Sequence, residues 1–343
     1  TPPKIIAVTG SNGKSTTASL IHHILRQSGV KSQLAGNIGK GVFELKPLQN
    51  KEIIVLELSS YQLESASYLS PDIAVFTNFS PDHLERHRGL KGYFEAKKRL
   101  FQEGSPLISI INIDTAEGQD LLSINQGSSI SFSTSSKKLL HRESVNYSNK
   151  NLSAWTNGKR KFSTSLIKMK NLPGSHNHEN ICLSYACCKA VGLGNISIIE
   201  AITTFEGLPH RLQKVAISAG VTYINDSKAT NIDSVVKALC TFSNIHWICG
   251  GQEKKGSMAI LRQNSKLIKK AYIIGENPKK FASKIGEIPY VLCGSMENAV
   301  KHAENTAVPG DIVLLSPGAA SFDQYENFEK RGEHFIELVK ELL

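Results

Sequence analysis

One stretch constrains this chain more than any other: Ile5-Ile6-Ala7-Val8-Thr9-Gly10-Ser11-Asn12-Gly13-Lys14-Ser15-Thr16-Thr17. An apolar run leads into a glycine turn and then into a helical pattern. Backbone N–H groups at such glycines, together with a helix N-terminus, make a cradle for phosphate. Lys14 brings positive charge to the terminal phosphates, and the Ser15 hydroxyl can hold Mg²⁺. The common spacing would put the first glycine at position 8. Position 8 is Val8, so the loop is a variant that starts at Gly10. ATP or GTP is the expected ligand.

The helix opened by this loop is expected over about Ser15 to Ser28, with Gly29 as its stop. Strand-like runs at Ile53–Leu58, Ile73–Thr77 and Leu107–Ile113 alternate with helical patterns. That alternation predicts a mainly parallel sheet with helices on both faces. From Ser128 to Lys170 the texture turns to Ser, Thr, Asn and Lys, which reads as an antiparallel excursion on the sheet edge. Helical patterns return at Glu179–Val191 and Ile198–Phe205, and Gly207-Leu208-Pro209 breaks the chain. Strands at 221–224, 245–249, 271–274 and 312–315, with a helix over 232–239, repeat the alternation. The expected architecture is a P-loop ATP-binding α/β domain with a mainly parallel sheet (1–207) followed by a second, Rossmann-like α/β domain (208–343).

Of the 343 residues, 40% are hydrophobic and 20% charged, enough apolar material for real cores and against a disordered chain. No apolar run approaches the roughly 18 residues that span a bilayer. The start at Thr1-Pro2-Pro3 lacks a methionine and a basic-then-apolar leader, so a processed or cut chain is expected, not a secretory precursor. Forty basic against thirty acidic residues leave a net +10 that favours an anionic partner. The charge is spread out, and basic–aromatic clusters are missing, which points to small anions rather than nucleic acid. Cys182, Cys187, Cys188, Cys240, Cys249 and Cys293 show no CxxC spacing and read as reduced core residues of a cytoplasmic protein.

Three positions after the second and third strands invite a metal reading. Glu57 falls near the C-terminal end of an apolar strand, the edge where open α/β sheets gather ligands. Nucleotide-bound Mg²⁺ would be its counter-ion; the alternative is an edge-strand glutamate facing solvent. In Asn78-Phe79-Ser80-Pro81-Asp82-His83, Ser80 reads as a helix cap with Pro81 at the first position. His83 is then either a ligand or part of that helix start. On the helix expected over 91–102, Lys97 shares a face with Tyr93, Phe94, Leu100 and Phe101, while Glu95 can pair with Lys98 or Arg99. A desolvated amine could take up CO₂ and offer a carbamate to Mg²⁺. The residues by themselves favour the plainer alternative, a lysine reaching past the apolar face to water.

The loop Thr9–Thr17 resembles that of the Mur ligases and folylpolyglutamate synthetases. Glu57-Leu58-Ser59-Ser60-Tyr61-Gln62-Leu63-Glu64, His176-Asn177-His178-Glu179-Asn180 and Leu208-Pro209-His210-Arg211 narrow the resemblance. So do Asn225-Asp226-Ser227-Lys228-Ala229-Thr230-Asn231 and Ser316-Pro317-Gly318-Ala319-Ala320-Ser321-Phe322-Asp323. Together they are similar to the D-glutamate-adding branch of the Mur ligases along the whole chain. A folate-type polyglutamate ligase shares the loop but not the Ser321 block.

The resemblance implies an ATP-driven amide ligase of peptidoglycan synthesis, a cytoplasmic monomer that joins D-glutamate to UDP-N-acetylmuramoyl-L-alanine through an acyl phosphate. It implies two Mg²⁺ ions: one held by Ser15 and Glu57 on the ATP phosphates, the second by His83 and carbamylated Lys97. Lys14 would neutralise charge in the transfer. Ser11, Asn12, Gly13, Thr16, Thr17 and Asn180 fall on ATP positions, with Arg211 and Asp226 reaching over from the second domain. Asn37 and Ser59 fall on muramoyl-substrate positions, and Lys228, Thr230, Lys254, Ser321, Phe322 and Phe328 on D-glutamate positions. Gln252 and Glu253 depart from the family near Lys254, where an aspartate is usual. The stretch Ser316-Gly318-Ala319 lacks a cysteine often found there. Family members also carry an N-terminal domain that grips the uridine diphosphate. The present sequence is expected to match only the central and C-terminal domains, and to be weakly active or inactive without the first.

Overall fold

The computed structural model describes residues 4–66, 68–82, 84–135, 142–167, 169, 171–252, 261 and 264–343. They form two compact α/β units, one of residues 1–170 and 175–206, the other of 171–174 and 207–343. His83, Glu253 and Lys254 lie outside the described residues.

The first unit runs β1 (Lys4–Thr9), α1 (Lys14–Gln27), β2 (Ser32–Gly36), β3 (Ile53–Glu57), α2 (Ser60–Ser65), β4 (Ile73–Phe76), α3 (Leu90–Gln102) and β5 (Ile108–Asn112). It continues with α4 (Ala116–Ile124), β6 (Ser128–Ser133), β7 (Glu143–Ser148), β8 (Asn151–Thr156), β9 (Lys159–Ser165), α5 (Ser175–Val191) and α6 (Asn195–Thr203). Among the described residues its sheet has the order β2-β3-β1-β4-β5-β6-β7-β8-β9. β1 lies inside the sheet, and its Ile6, Ala7 and Val8 are fully buried. Such a strand needs cover on both faces, and helices supply it. The amphipathic α1 buries Leu20, Ile21, Ile24 and Leu25 and packs on α5 and α6. It ends as expected: Gly29 takes φ +76°, its N–H donates to Arg26 O and that of Val30 to Leu25 O. The Ser/Thr-rich stretch is only partly antiparallel. β6 and β7 extend the parallel ladder, and the meander begins with β7–β8–β9.

The second unit runs β10 (Gln213–Ser218), β11 (Val221–Asn225), α7 (Ile232–Leu239), β12 (Ile245–Gly250), β13 (Ile268–Ile274), α8 (Pro278–Ala282), β14 (Tyr290–Gly294), α9 (Met296–Glu304), β15 (Ile312–Leu315) and α10 (Phe328–Lys340). Among the described residues its sheet order is β10-β11-β15-β12-β13-β14, parallel except for β10. Asn231 caps α7 by accepting from Ser234 N, and Ile232, Val235 and Leu239 enter a core with Trp247, Phe281 and Leu314. Five of the cysteines are buried free thiols; Cys240 is exposed, against the expectation of a core residue.

No helix among the described residues is long and apolar enough to cross a membrane.

Candidate active site

In the first unit β1 is flanked by β3 on one edge (Val8 opposite Glu57) and by β4 on the other (Thr9 opposite Phe76). The C-terminal ends of these three strands open one crevice, the place where such sheets take ligands. The glycine loop stands there as the entry to α1. Gly13 occupies the cap position at φ +80° and has no side chain to offer the first turn. Orphan N–H groups of a helix start favour an anion.

The loop is held from the far side of β1. Ser11 N donates to Asn78 O (2.9 Å), Asn12 N to Asn78 Oδ1 (2.8 Å), and Thr77 Oγ1 to Asn12 O (2.7 Å). Ser80 N donates to Ser11 Oγ, which itself donates to Ser80 O. Ser80 is therefore an anchor for the loop, not a helix cap: residues 77–82 are irregular and 84–88 form a turn. The approach is close enough that a Cβ on Gly10 would lie 2.0 Å from Thr77 Oγ1. Asn180 arrives from α5: a Cβ on Gly13 would meet its Oδ1 at 2.2 Å, and Thr17 Oγ1 donates to it at 3.3 Å. Lys14 Nζ donates to Ser11 O at 2.8 Å.

Glu57 is 1% exposed on an interior strand, which rules out the solvent-facing alternative. Asn37 Nδ2 donates to its Oε1 at 3.2 Å, while Oε2 is buried with no hydrogen-bond partner among the described residues. A buried carboxylate oxygen left bare is costly. A cation at the crevice would complete it, so the residues present fit Mg²⁺ on that oxygen. Ser59 caps α2 in a capping box with Gln62.

Lys97 does not reach water. It is 1% exposed, Nζ donates to Gly10 O at 2.8 Å, and it lies 4.3 Å from the Tyr93 ring centroid. The amine meets the Gly10 carbonyl of the phosphate loop in place of solvent, so the expectation of a lysine reaching water failed. Burial, and then the Lys14 charge, push its amine well below the ordinary lysine value against an opposing pull from Asp82. The partners foreseen for Glu95 go elsewhere: Lys98 pairs with Asp120 at 2.8 Å and Arg99 with Glu103 at 2.9 Å.

In the second unit the blocks after β11, β12 and β15 stand at neighbouring C-terminal strand ends. Asp226 is buried, accepting from Ser316 Oγ (2.9 Å) and Leu212 N (3.2 Å). Burial raises its carboxyl to about 7, against those bonds and the Arg211 charge. Lys228 Nζ lies 5.1 Å from the Phe328 ring centroid, Thr230 N donates to Lys228 O, Ser321 is buried and Phe322 is exposed. Gln252 makes a paired bridge with Ala320, so the departure from the family there joins the β12 and β15 loops through backbone.

Sequence reasoning passed over Arg331. It is 1% exposed, and its guanidinium donates to Ser227 Oγ (3.1 Å), Ser227 O (2.8 Å) and Ala319 O (3.1 Å). It thereby ties together the two blocks that bear most of the D-glutamate assignments. In sequence it looks like one more charge on an amphipathic helix.

Residues 8–188 match the Mur ligase middle domain and 210–318 the Mur ligase glutamate ligase domain. The UDP-N-acetylmuramoylalanine–D-glutamate ligase of Cereibacter sphaeroides is 50% identical over 346 residues, 99% of this chain and 74% of that protein. The one from a Jannaschia species is also 50% identical, over 100% of this chain and 75% of its own length. The chain thus spans about three quarters of these relatives. Among solved structures, the Thermotoga maritima MurF ligase in complex with ADP superposes with a TM-score of 0.73 at 17% identity, covering 99% of this chain and 81% of that one. The Thermotoga maritima UDP-N-acetylmuramate–alanine ligase gives 0.71 at 18% identity, with 99% and 76% covered, so these two bear on the fold alone. The chain belongs to the Mur ligase family.

Proposed function

We propose that the chain is an ATP-dependent ligase that joins D-glutamate to UDP-N-acetylmuramoyl-L-alanine in peptidoglycan synthesis, working in the cytoplasm as a monomer. The observation that carries the reading is the bare, buried Oε2 of Glu57 beside a helix N-terminus built for phosphate. The relatives' names supply the substrates.

Ser11 to Thr17 and Asn180 hold the ATP phosphates and their surroundings, and Lys14 balances charge that develops as the γ-phosphoryl moves. The carboxylate of the L-alanyl substrate, steered by Asn37 and Ser59, attacks the γ-phosphorus and ADP leaves. The D-glutamate amine then attacks the acyl phosphate, and phosphate departs from the tetrahedral adduct as the amine loses its proton. Arg211 and Asp226 are assigned to ATP, and Lys228, Thr230, Lys254, Ser321, Phe322 and Phe328 to D-glutamate. Ser15 with Glu57, and His83 with Lys97, would hold two Mg²⁺ ions. Bound there, the metal would supply Lewis-acid neutralisation of phosphate charge.

Lys97 is suited to carbamylation because its amine is already biased toward the neutral form. The amine adds to CO₂, a C–N bond forms and one proton is released. The carbamate nitrogen keeps an N–H, enough for the bond to Gly10 O. Incubation with ¹³C-bicarbonate should give one carbamate resonance that Lys97→Ala abolishes. In the protein as its gene encodes it, phosphate release should need ATP, UDP-N-acetylmuramoyl-L-alanine and D-glutamate. Equal release with L-glutamate, or with a folate acceptor, would reject the substrate assignment; no carbamate signal would reject the role of Lys97.

A further inference from the structure

Ser60 and Glu64 stand four residues apart on α2 and so share a face of that helix. One imidazole spans them: Ser60 Oγ lies 2.9 Å from His87 Nε2, and His87 Nδ1 lies 3.1 Å from Glu64 Oε1. An ionised carboxylate can only accept, so Nδ1 carries the proton of the second bond. The connectivity is that of a serine–histidine–acid triad, but Ser60 is 2% exposed and the His87 side chain 0%. A hydroxyl so enclosed meets no substrate carbonyl, which leaves a mechanical role.

His87 lies in the 84–88 turn, closed by Gly89 N donating to Leu84 O at 2.8 Å. On one side it grips α2, which begins three residues after Glu57. On the other it meets α3: its ring packs 5.3 Å from the Tyr93 ring, the same ring that lies under Lys97 Nζ. Its carbonyl oxygen sits so near Gly92 that a Cβ there would come within 2.0 Å. Arg99 Nη1 closes the frame by donating to Glu64 O at 2.9 Å.

We propose that His87 is a positioning residue: by clamping the 84–88 turn to α2 and α3, it fixes the spacing between the Glu57 carboxylate and the Lys97 side chain. The inference rests on the metal reading of those two residues. Groups that orient metal ligands from behind typically affect affinity by about 10–100-fold when removed.

The test is Mn²⁺ binding to the ATP-saturated protein, followed by the electron paramagnetic resonance signal of free Mn²⁺, with ATP affinity in EDTA and thermal midpoint measured alongside. His87→Ala should weaken Mn²⁺ binding at least about tenfold while metal-free ATP affinity stays within twofold. Ser60→Ala, which removes one bond and spares the ring, should show a smaller loss in the same direction. Glu64→Gln, whose amide oxygen still accepts from Nδ1, should retain most of the affinity. Unchanged Mn²⁺ affinity in both His87→Ala and Ser60→Ala, with only a lowered midpoint, overturns the positioning role and leaves the metal reading standing. Wild-type protein that binds ATP but no Mn²⁺ overturns the metal reading, and this inference with it.

Discussion

Replacing Asp226 by Asn should make the second unit more stable at alkaline pH, and the structure gives the size of the effect. The side chain is buried, and loss of hydration outweighs Ser316, Leu212 and Arg211 to raise the carboxyl from 3.8 to about 7. In the unfolded chain the proton leaves near the ordinary value; in the folded protein it stays until about pH 7. Between those limits the folded state binds more protons, so stability falls as pH rises, and the loss is complete above about 7. At 1.36 kcal/mol per pH unit, the whole interval is worth about 4 kcal/mol, and the part between pH 5 and pH 7 about 3 kcal/mol. Asn keeps an oxygen to accept from Leu212 N and turns an N–H toward Ser316 Oγ, with no charge to desolvate. The assay is urea unfolding at pH 5 and pH 8.5. Trp247, whose indole N–H donates to Ser316 O at 2.7 Å, is the reporter, in a Trp155→Phe background that leaves it the sole tryptophan. Wild type should lose about 3 kcal/mol more than Asp226→Asn across that interval. Equal losses would refute the argument. The variant should at the same time bind ATP more weakly, since the proposed contact needs the carboxylate.

Gly10→Ala should destabilise the first unit by about 2–4 kcal/mol, from strain at φ +142° and displacement of Thr77 from Asn12. Gly29→Ala, at φ +76° with open space beyond, should cost only about 1 kcal/mol; urea midpoints read from Trp155 separate the two. Arg331→Met should lower the midpoint of the second unit by an amount equivalent to about 3 kcal/mol. Amide exchange should accelerate at Ser227 and Ala319 in the same variant, and unchanged protection there would count against its role as a tie.

The phosphate loop, the stop at Gly29, the α7 face and the parallel alternation were legible because each is a local pattern. Spacing within a dozen residues sets them, and short-range sterics and hydrogen bonding enforce them. Residues 77–82 show where local logic gave out. Ser80-Pro81-Asp82 has every mark of a helix start, yet Ser80 is claimed by Ser11 across the crevice. Lys97 is the plainer case: nothing in its own helix announces that its amine will meet the Gly10 carbonyl, 87 residues earlier in the chain. The bare oxygen of Glu57, the clamp at His87 and the tie at Arg331, which reaches Ser227 over 104 residues, have the same origin. Burial, desolvation and the choice of hydrogen-bond partner depend on which segments meet in space, so residue type and spacing announced the candidate groups, while the packing of distant segments decided which of them are buried, paired or left bare.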